Sequence, residues 1–121
     1  MYEIVFYEKS DGSSDIFDFI ESLRESSKTN KDARIQYKQV TLYIELLQKN
    51  GTRMSDNITK HIQDNIWELR PGDNRIFYFS VVNNKFVLLH HFRKKTRKTP
   101  KSEIDRALRE RDDYIARNGD D

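Results

Sequence analysis

Six side chains in the second half of the chain carry the groups needed to hold an anion and move a proton beside it: Glu68, Arg70, Arg75, His90, Lys94 and Lys95. Arginine presents a planar fork of donors that matches the oxygens of a phosphate. Histidine changes charge near neutral pH and is the natural proton carrier; Glu68 is the other candidate base. A dense basic run follows directly. Arg93, Lys94, Lys95, Arg97, Lys98 and Lys101 fall between Phe92 and Lys101 with no acid among them. Residues 1–25, by contrast, hold seven acids and only two bases, Lys9 and Arg24. Net charge is a weak +2, so this asymmetry points to a local field facing a polyanion. Nucleic acid is the leading candidate.

The elements that must position these residues are short apolar runs. Ile62–Leu69, Ile76–Val82 and Phe86–Phe92 are rich in β-branched and aromatic residues and bounded by turn signals, which predicts strands. Pro71–Asn74 separates the first two, and Asn83-Asn84 can make a two-residue hairpin turn between the second pair. In the resulting three-stranded antiparallel meander, Val82 faces Lys85, Phe77 faces His90 and Arg75 faces Phe92. Alternation then assigns Trp67, Leu69, Ile76, Tyr78, Val87, Leu89 and His91 to one face. Glu68, Arg70, Arg75, Phe77, Phe79, Leu88, His90, Phe92 and Lys94 fall on the other. Like charges directly opposite destabilise a sheet, so an Arg70–Arg75 pair persists more readily with an anion between its members.

Ahead of the meander, Tyr2–Tyr7 alternates as a strand and is expected to join the same sheet. Ser14 or Asp15 caps a helix with Ile16, Ile20 and Leu23 on one face. A second helix, capped near Asn30 and stopped by Asn50-Gly51, carries Ala33, Tyr37, Val40, Ile44 and Leu47 at spacings of 4, 3, 4 and 3. This helical hairpin should cover the apolar face of the sheet. Residues 52–60 read as a polar connector. Thr99-Pro100 reads as N-cap and first-turn proline of a last, loosely held helix with Ile104, Leu108 and Ile115 facing inward. The order is β-α-α-β-β-β-α, an α+β single domain over residues 1–121. Cysteine is absent, which rules out disulfides and thiolate metal sites and suits a reducing cytoplasm. No apolar window is long enough to span a bilayer, and the N-terminus lacks a signal-peptide core. A cytoplasmic protein with no membrane partner is the expectation.

The string W-E-L-R-P-G…R-I-F-Y-F, followed by V-L-L-H-H-F-R-K-K-T-R-K-T-P, resembles the HigB-like, phage-related branch of the RelE superfamily of type II toxins. The likeness is close over residues 62–118 and mainly one of pattern before them. It implies a RelE-like fold and a ribosome-associated mRNA interferase that turns the ribose 2′-hydroxyl onto the adjacent phosphate without metal or cofactor. It also implies a helix-turn-helix, HigA-like antitoxin as partner, the ribosome and mRNA as targets, and operator DNA bound only through the toxin–antitoxin complex. Carried over by position, Arg70 matches the arginine of the Glu-Leu-Arg motif, and Arg75 the arginine opening the next strand. His90, Phe92, Lys94 and Lys95 match a His-x-Phe-x-Lys-Lys element, with Lys98-Thr99-Pro100 trailing it. His91 and Arg93 lie at positions the family varies. Relatives place a lysine near Glu68 where this chain has an acid, which leaves the general base open.

Such a cleavage needs a base for the 2′-hydroxyl, an acid for the leaving 5′-oxygen and positive charge on the phosphorane. Arg70 and Arg75 suit the last task. His90 or Glu68 suits the first, and Arg93, Arg97, Lys98 and Lys101 would hold the RNA backbone. Phe77, Phe79 or Phe92 could stack a base. Each has a plainer reading: surface ion pairing for the arginines, a core-edge histidine for His90, core packing for the phenylalanines. The basic run has two, a solvated face or a nuclear-localisation-like cluster, but it starts where a buried strand ends, which fixes its direction. The rivals to an endoribonuclease are a non-catalytic RNA-binding module and a partner-binding protein of the same fold.

Overall fold

Both helices expected before the sheet form, with the caps the sequence supplies. Ser14 Oγ accepts from Phe17 N at 3.1 Å to open α1 (Asp15–Ser26), and Asn30 Oδ1 accepts from Ala33 N at 2.9 Å to open α2 (Lys31–Asn50). Gly51 ends α2 at φ 62, where the Tyr2 ring would lie 2.8 Å from any Cβ. Each cap satisfies an amide that the first turn leaves unpaired. The computed structural model describes residues 1–119. Its remaining elements are β1 (Glu3–Phe6), β2 (Thr59–Gln63), β3 (Ile66–Leu69), β4 (Asn74–Val81), β5 (Lys85–Arg93) and α3 (Lys101–Asn118).

The strands make one five-stranded sheet in the order β1-β5-β4-β3-β2. The α+β layout expected from the sequence holds, with two differences in detail. First, the run Ile62–Leu69 is divided: β2 and β3 are a hairpin turning at Asp64-Asn65, with Asp64 at φ 53. The supposed connector therefore gives Thr59 and Lys60 to β2. Thr59 is buried because its hydroxyl donates to the Glu68 carbonyl at 3.0 Å and meets the Tyr78 hydroxyl at 2.7 Å. Second, β1 does join the sheet, and it runs parallel to β5, so the sheet is mixed.

The β4–β5 register combines two departures that cancel. Val81 faces Lys85, so the loop has three residues, with Asn83 and Asn84 both left-handed. Further along, Tyr78 faces Leu88 while Phe77 faces His90, so Leu89 is an inserted bulge residue. The pairs Phe77–His90 and Arg75–Phe92 stand where they were expected. Between loop and bulge the faces are exchanged. Phe86 and Leu88 pack with Leu69, Ile76 and Tyr78 against α1 and α2, while Val87 and Leu89 join Phe77 and Phe79 under α3. A one-residue slip reverses every side chain in the slipped stretch.

α3 covers the second face more firmly than its thin apolar stripe suggested. Ala107, Glu110 and Tyr114 are its buried residues; Ile104, Leu108 and Ile115 pack at the edge of the core. Polar bonds tie it to two other segments: Asp113 to Tyr7 at 2.7 Å and Arg117 to the Glu8 carbonyl just after β1, and Arg111 to Asn65 at 2.8 Å in the β2–β3 turn. Pro100, not Thr99, is its N-cap, with no side-chain cap bond. Among the described residues no helix is long and apolar enough to cross a membrane.

Candidate active site

β3 and β4 run antiparallel, so residues just past Leu69 and just before Ile76 meet at one end of the sheet. Glu68 pairs with Phe77 and Arg75 with Phe92, which puts Glu68, Arg75 and Phe92 on the α3 face. There they line a small cavity of about 60 Å³, completed by Arg70, Lys94, Thr96, Arg97, Lys98 and Thr99.

Glu68 is the hub. It is 1% exposed. Its Oε1 lies 2.9 Å from Arg75 Nε and 4.0 Å from Arg70 Nε, and its Oε2 accepts from Thr99 Oγ1 at 3.0 Å. The two guanidiniums therefore do converge, and the anion between them is the chain's own carboxylate. Thr99 leaves its expected capping position because a buried carboxylate oxygen needs a donor more than an exposed helix end does.

Arg75 Nη1 donates to the carbonyls of Gly72 at 2.7 Å and Asn74 at 2.9 Å. Burial lowers its pKa from the usual arginine value; Glu68 opposes that shift and the Arg70 charge adds to it. Starting so far above neutrality, the guanidinium stays charged. Arg70 Nη1 donates to the Asp56 carbonyl at 2.9 Å, but its Nε is buried with no hydrogen-bond acceptor among the described residues. A buried donor without a partner costs about 1–3 kcal/mol. Five cations against one carboxylate leave the wall strongly positive.

Other expected site residues lie elsewhere. β3, β4 and β5 place Glu68, Phe77 and His90 in one row, and two strand spacings put the imidazole roughly 10 Å from Glu68. The Phe77 ring stands between them, edge-on to His90 with centroids 5.3 Å apart. His90 is fully buried under α3, with Nδ1 2.5 Å from Glu110 Oε1. Its Nε2 is 3.3 Å from Glu103 Oε1 without forming a hydrogen bond. The plainer reading put His90 at the core edge; it is fully buried, and its partner is a carboxylate. Arg93 alternates to the opposite face and donates to Gln36 of α2 at 3.1 Å. Lys95 is exposed outside the cavity wall, and Lys101 pairs with Asp105 at 2.9 Å. Phe77 and Phe79 are core; Phe92 alone of the three candidate aromatics lines the cavity.

Beside His90 lies a second polar cluster. β1 pairs only with Lys85–Leu88, so β5 has a bare edge beyond that point, over which α1 and α3 meet. Asp15 closes it: Oδ1 accepts from the His91 amide at 3.0 Å and pairs with His91 Nδ1 at 2.6 Å. Oδ2 lies 3.4 Å from Arg106, which also reaches Glu110 at 3.3 Å. Burial acts to raise the Asp15 pKa, but the two bonds from His91 and the Arg106 charge outweigh it and hold the carboxyl at about 2.

Thr96 and Thr99 were not legible as cavity residues, since Thr-Pro before a helix reads locally as a cap. The family model described as "Phage derived protein Gp49-like (DUF891)" matches residues 21–112, more than half of the chain. No curated protein matches the chain.

Proposed function

The chain belongs to this Gp49-like family, a RelE/ParE-like toxin family, and from that premise we propose that it is the mRNA-cleaving toxin of a type II toxin–antitoxin pair. One observation carries the reading: two arginines meet at a cavity whose lining holds five cations and one carboxylate, and Arg70 Nε has no hydrogen-bond acceptor among the described residues. A scissile phosphate supplies the missing negative charge.

In the proposed reaction the ribose 2′-oxygen attacks phosphorus and the bond to the 5′-oxygen breaks, leaving a 2′,3′-cyclic phosphate and a 5′-hydroxyl. Arg70 and Arg75 hold the phosphorane oxygens, where fixed donors contribute most to rate. Arg97 and Lys98 hold the flanking backbone. Phe92 offers a face to a neighbouring base. Glu68 aims the arginines and, with lone pairs left on both carboxylate oxygens, takes the 2′-hydroxyl proton. With His90 walled off by Phe77, the proton for the leaving oxygen comes from Lys94 or Lys98, the two lysines on the cavity wall. The ribosome presents the mRNA, and a helix-turn-helix antitoxin neutralises the protein and carries the complex to operator DNA.

Arg70→Ala tests this reading cleanly, because Arg70 makes one side-chain hydrogen bond and its loss leaves the Glu68–Arg75 pair standing. Cleavage of translated mRNA should fall about a hundredfold, growth arrest should disappear, and antitoxin binding should persist. A wild-type chain that neither slows growth nor cuts mRNA on ribosomes would sink the proposal. A variant that loses only RNA affinity, with a weaker salt dependence, would favour a non-catalytic RNA-binding module.

A further inference from the structure

The carbonyls that aim Arg75 are themselves held from α2, and we infer that Gln36 is a positioning residue for the site. The inference rests on the reading of Arg75 given above. Gln36 Oε1 accepts from Asn74 Nδ2 at 3.0 Å and from Arg93 Nη1 at 3.1 Å, while Gln36 Nε2 donates to Asp32 Oδ2 at 2.7 Å. The orientation of this amide is dictated chemically: arginine can only donate and a carboxylate can only accept, so the oxygen must face the sheet. Both lone pairs of that oxygen are then in use.

Its partner Asn74 is 2% exposed and closes the Pro71–Asn74 turn by donating its amide to the Pro71 carbonyl at 3.1 Å. The Asn74 carbonyl accepts from Arg75 Nη1, as does the Gly72 carbonyl two residues earlier. One turn further along α2, Gln39 presses on the same loop. Its Oε1 lies 2.6 Å from where a Cβ on Gly72 would stand, and Gly72 is left-handed at φ 63. The loop is thus clamped from α2 at two points a helical turn apart. The guanidinium it presents has Nε committed to Glu68 and Nη1 to the two carbonyls, which leaves Nη2 for substrate. Rotating such a group by a few tenths of an ångström costs rate without costing burial. The same amide holds Arg93 on the face opposite the cavity.

The test compares Gln36→Leu, which removes the acceptor at similar size, with the double variant Asp32→Asn plus Gln36→Glu. The double variant rebuilds the pair with an acceptor facing the sheet and a donor on Asp32's side. In ¹⁵N NMR of the free protein, the Arg75 Nε–Hε signal should be sharp in the wild type, broadened in Gln36→Leu and sharp again in the double variant. On ribosome-bound mRNA, Gln36→Leu should lower kcat about tenfold with KM within twofold, and the double variant should recover most of that loss. A wild-type Arg75 signal and kcat in Gln36→Leu would overturn the inference, as would failure of the double variant to restore both. Gln36→Met serves in the same way should the leucine variant not fold. If the wild-type protein cleaves no RNA, the proposed function falls, and the NMR comparison still decides the role of Gln36.

Discussion

Two polar clusters flank the sheet, one at the cavity and one around the bare edge of β5, and they use similar residues to opposite ends. At the cavity, Arg70, Arg75 and three further cations surround a single carboxylate, and one buried donor, Arg70 Nε, has no acceptor among the described residues. Beneath α3 and over the bare edge of β5, His90, His91 and Arg106 meet Asp15, Glu103 and Glu110; His90 Nε2 also lacks a hydrogen bond, but every base lies within 3.4 Å of a carboxylate. The first cluster has charge left over for a ligand. The second spends its charge on holding α1, β5 and α3 together. Which side chains are ionisable says little; the local balance of charge separates a candidate site from a structural lock.

That contrast can be broken most decisively at Arg75. Arg75→Ala should reduce cleavage by a hundred- to a thousandfold, as expected for losing a principal phosphorane donor. It should also destabilise the fold by about 3–5 kcal/mol, because Glu68 loses its closest partner while staying buried. Denaturant titration beside single-turnover cleavage separates the two effects, and adding Glu68→Gln should recover stability without recovering rate. Full cleavage by a folded Arg75→Ala protein would remove the cavity from consideration.

His90 sharpens the comparison from the other side. His90→Ala should cost about 3 kcal/mol, from a cavity in the core and a weakened Glu110 site. Cleavage per folded molecule should stay within a few-fold of wild type. A loss of rate as deep as that of Arg75→Ala, at unchanged stability, would return the imidazole to the chemistry.

Asp15 gives the smallest effect and a sign. Its carboxyl is held at about 2, below the ordinary 3.8, so the contribution is present in full above pH 3.8 and fades as pH falls through about 2. The shift corresponds to about 2 kcal/mol. Unfolding followed by circular dichroism from pH 5 to 2 should show that loss in the wild type. Asp15→Asn should lower stability at neutral pH and flatten this part of the acid limb.

Much of this molecule was legible one element at a time. Ser14 and Asn30 cap their helices, and Ile16, Val40 and Leu47 are buried, because caps and apolar spacing act within a few residues. The convergence of Arg70, Arg75 and Glu68 was legible too, since strand alternation around a short turn is also local. Less so was the hairpin at Asp64-Asn65, because β2 holds a single apolar residue, Ile62, which read as the start of the next strand. The Leu89 bulge left no local signal and cancelled the miscounted loop, which is why the pairings near the site came out right while Val87, Leu88 and Leu89 changed faces.

The sequence by itself determined the helices, all the strands but the β2–β3 hairpin, the basic run and the pair of arginines across a turn, because propensity, capping and side-chain alternation are short-range. Only tertiary structure decided which candidates share a site. Packing α3 over His90 sealed the imidazole away, and the need of a buried carboxylate drew Thr99 inward. The contact of α2 with a loop some 38 residues distant in the chain fixed the turn that aims Arg75. Each of these depends on desolvation and on donor–acceptor matching between elements far apart in sequence, which no local pattern encodes.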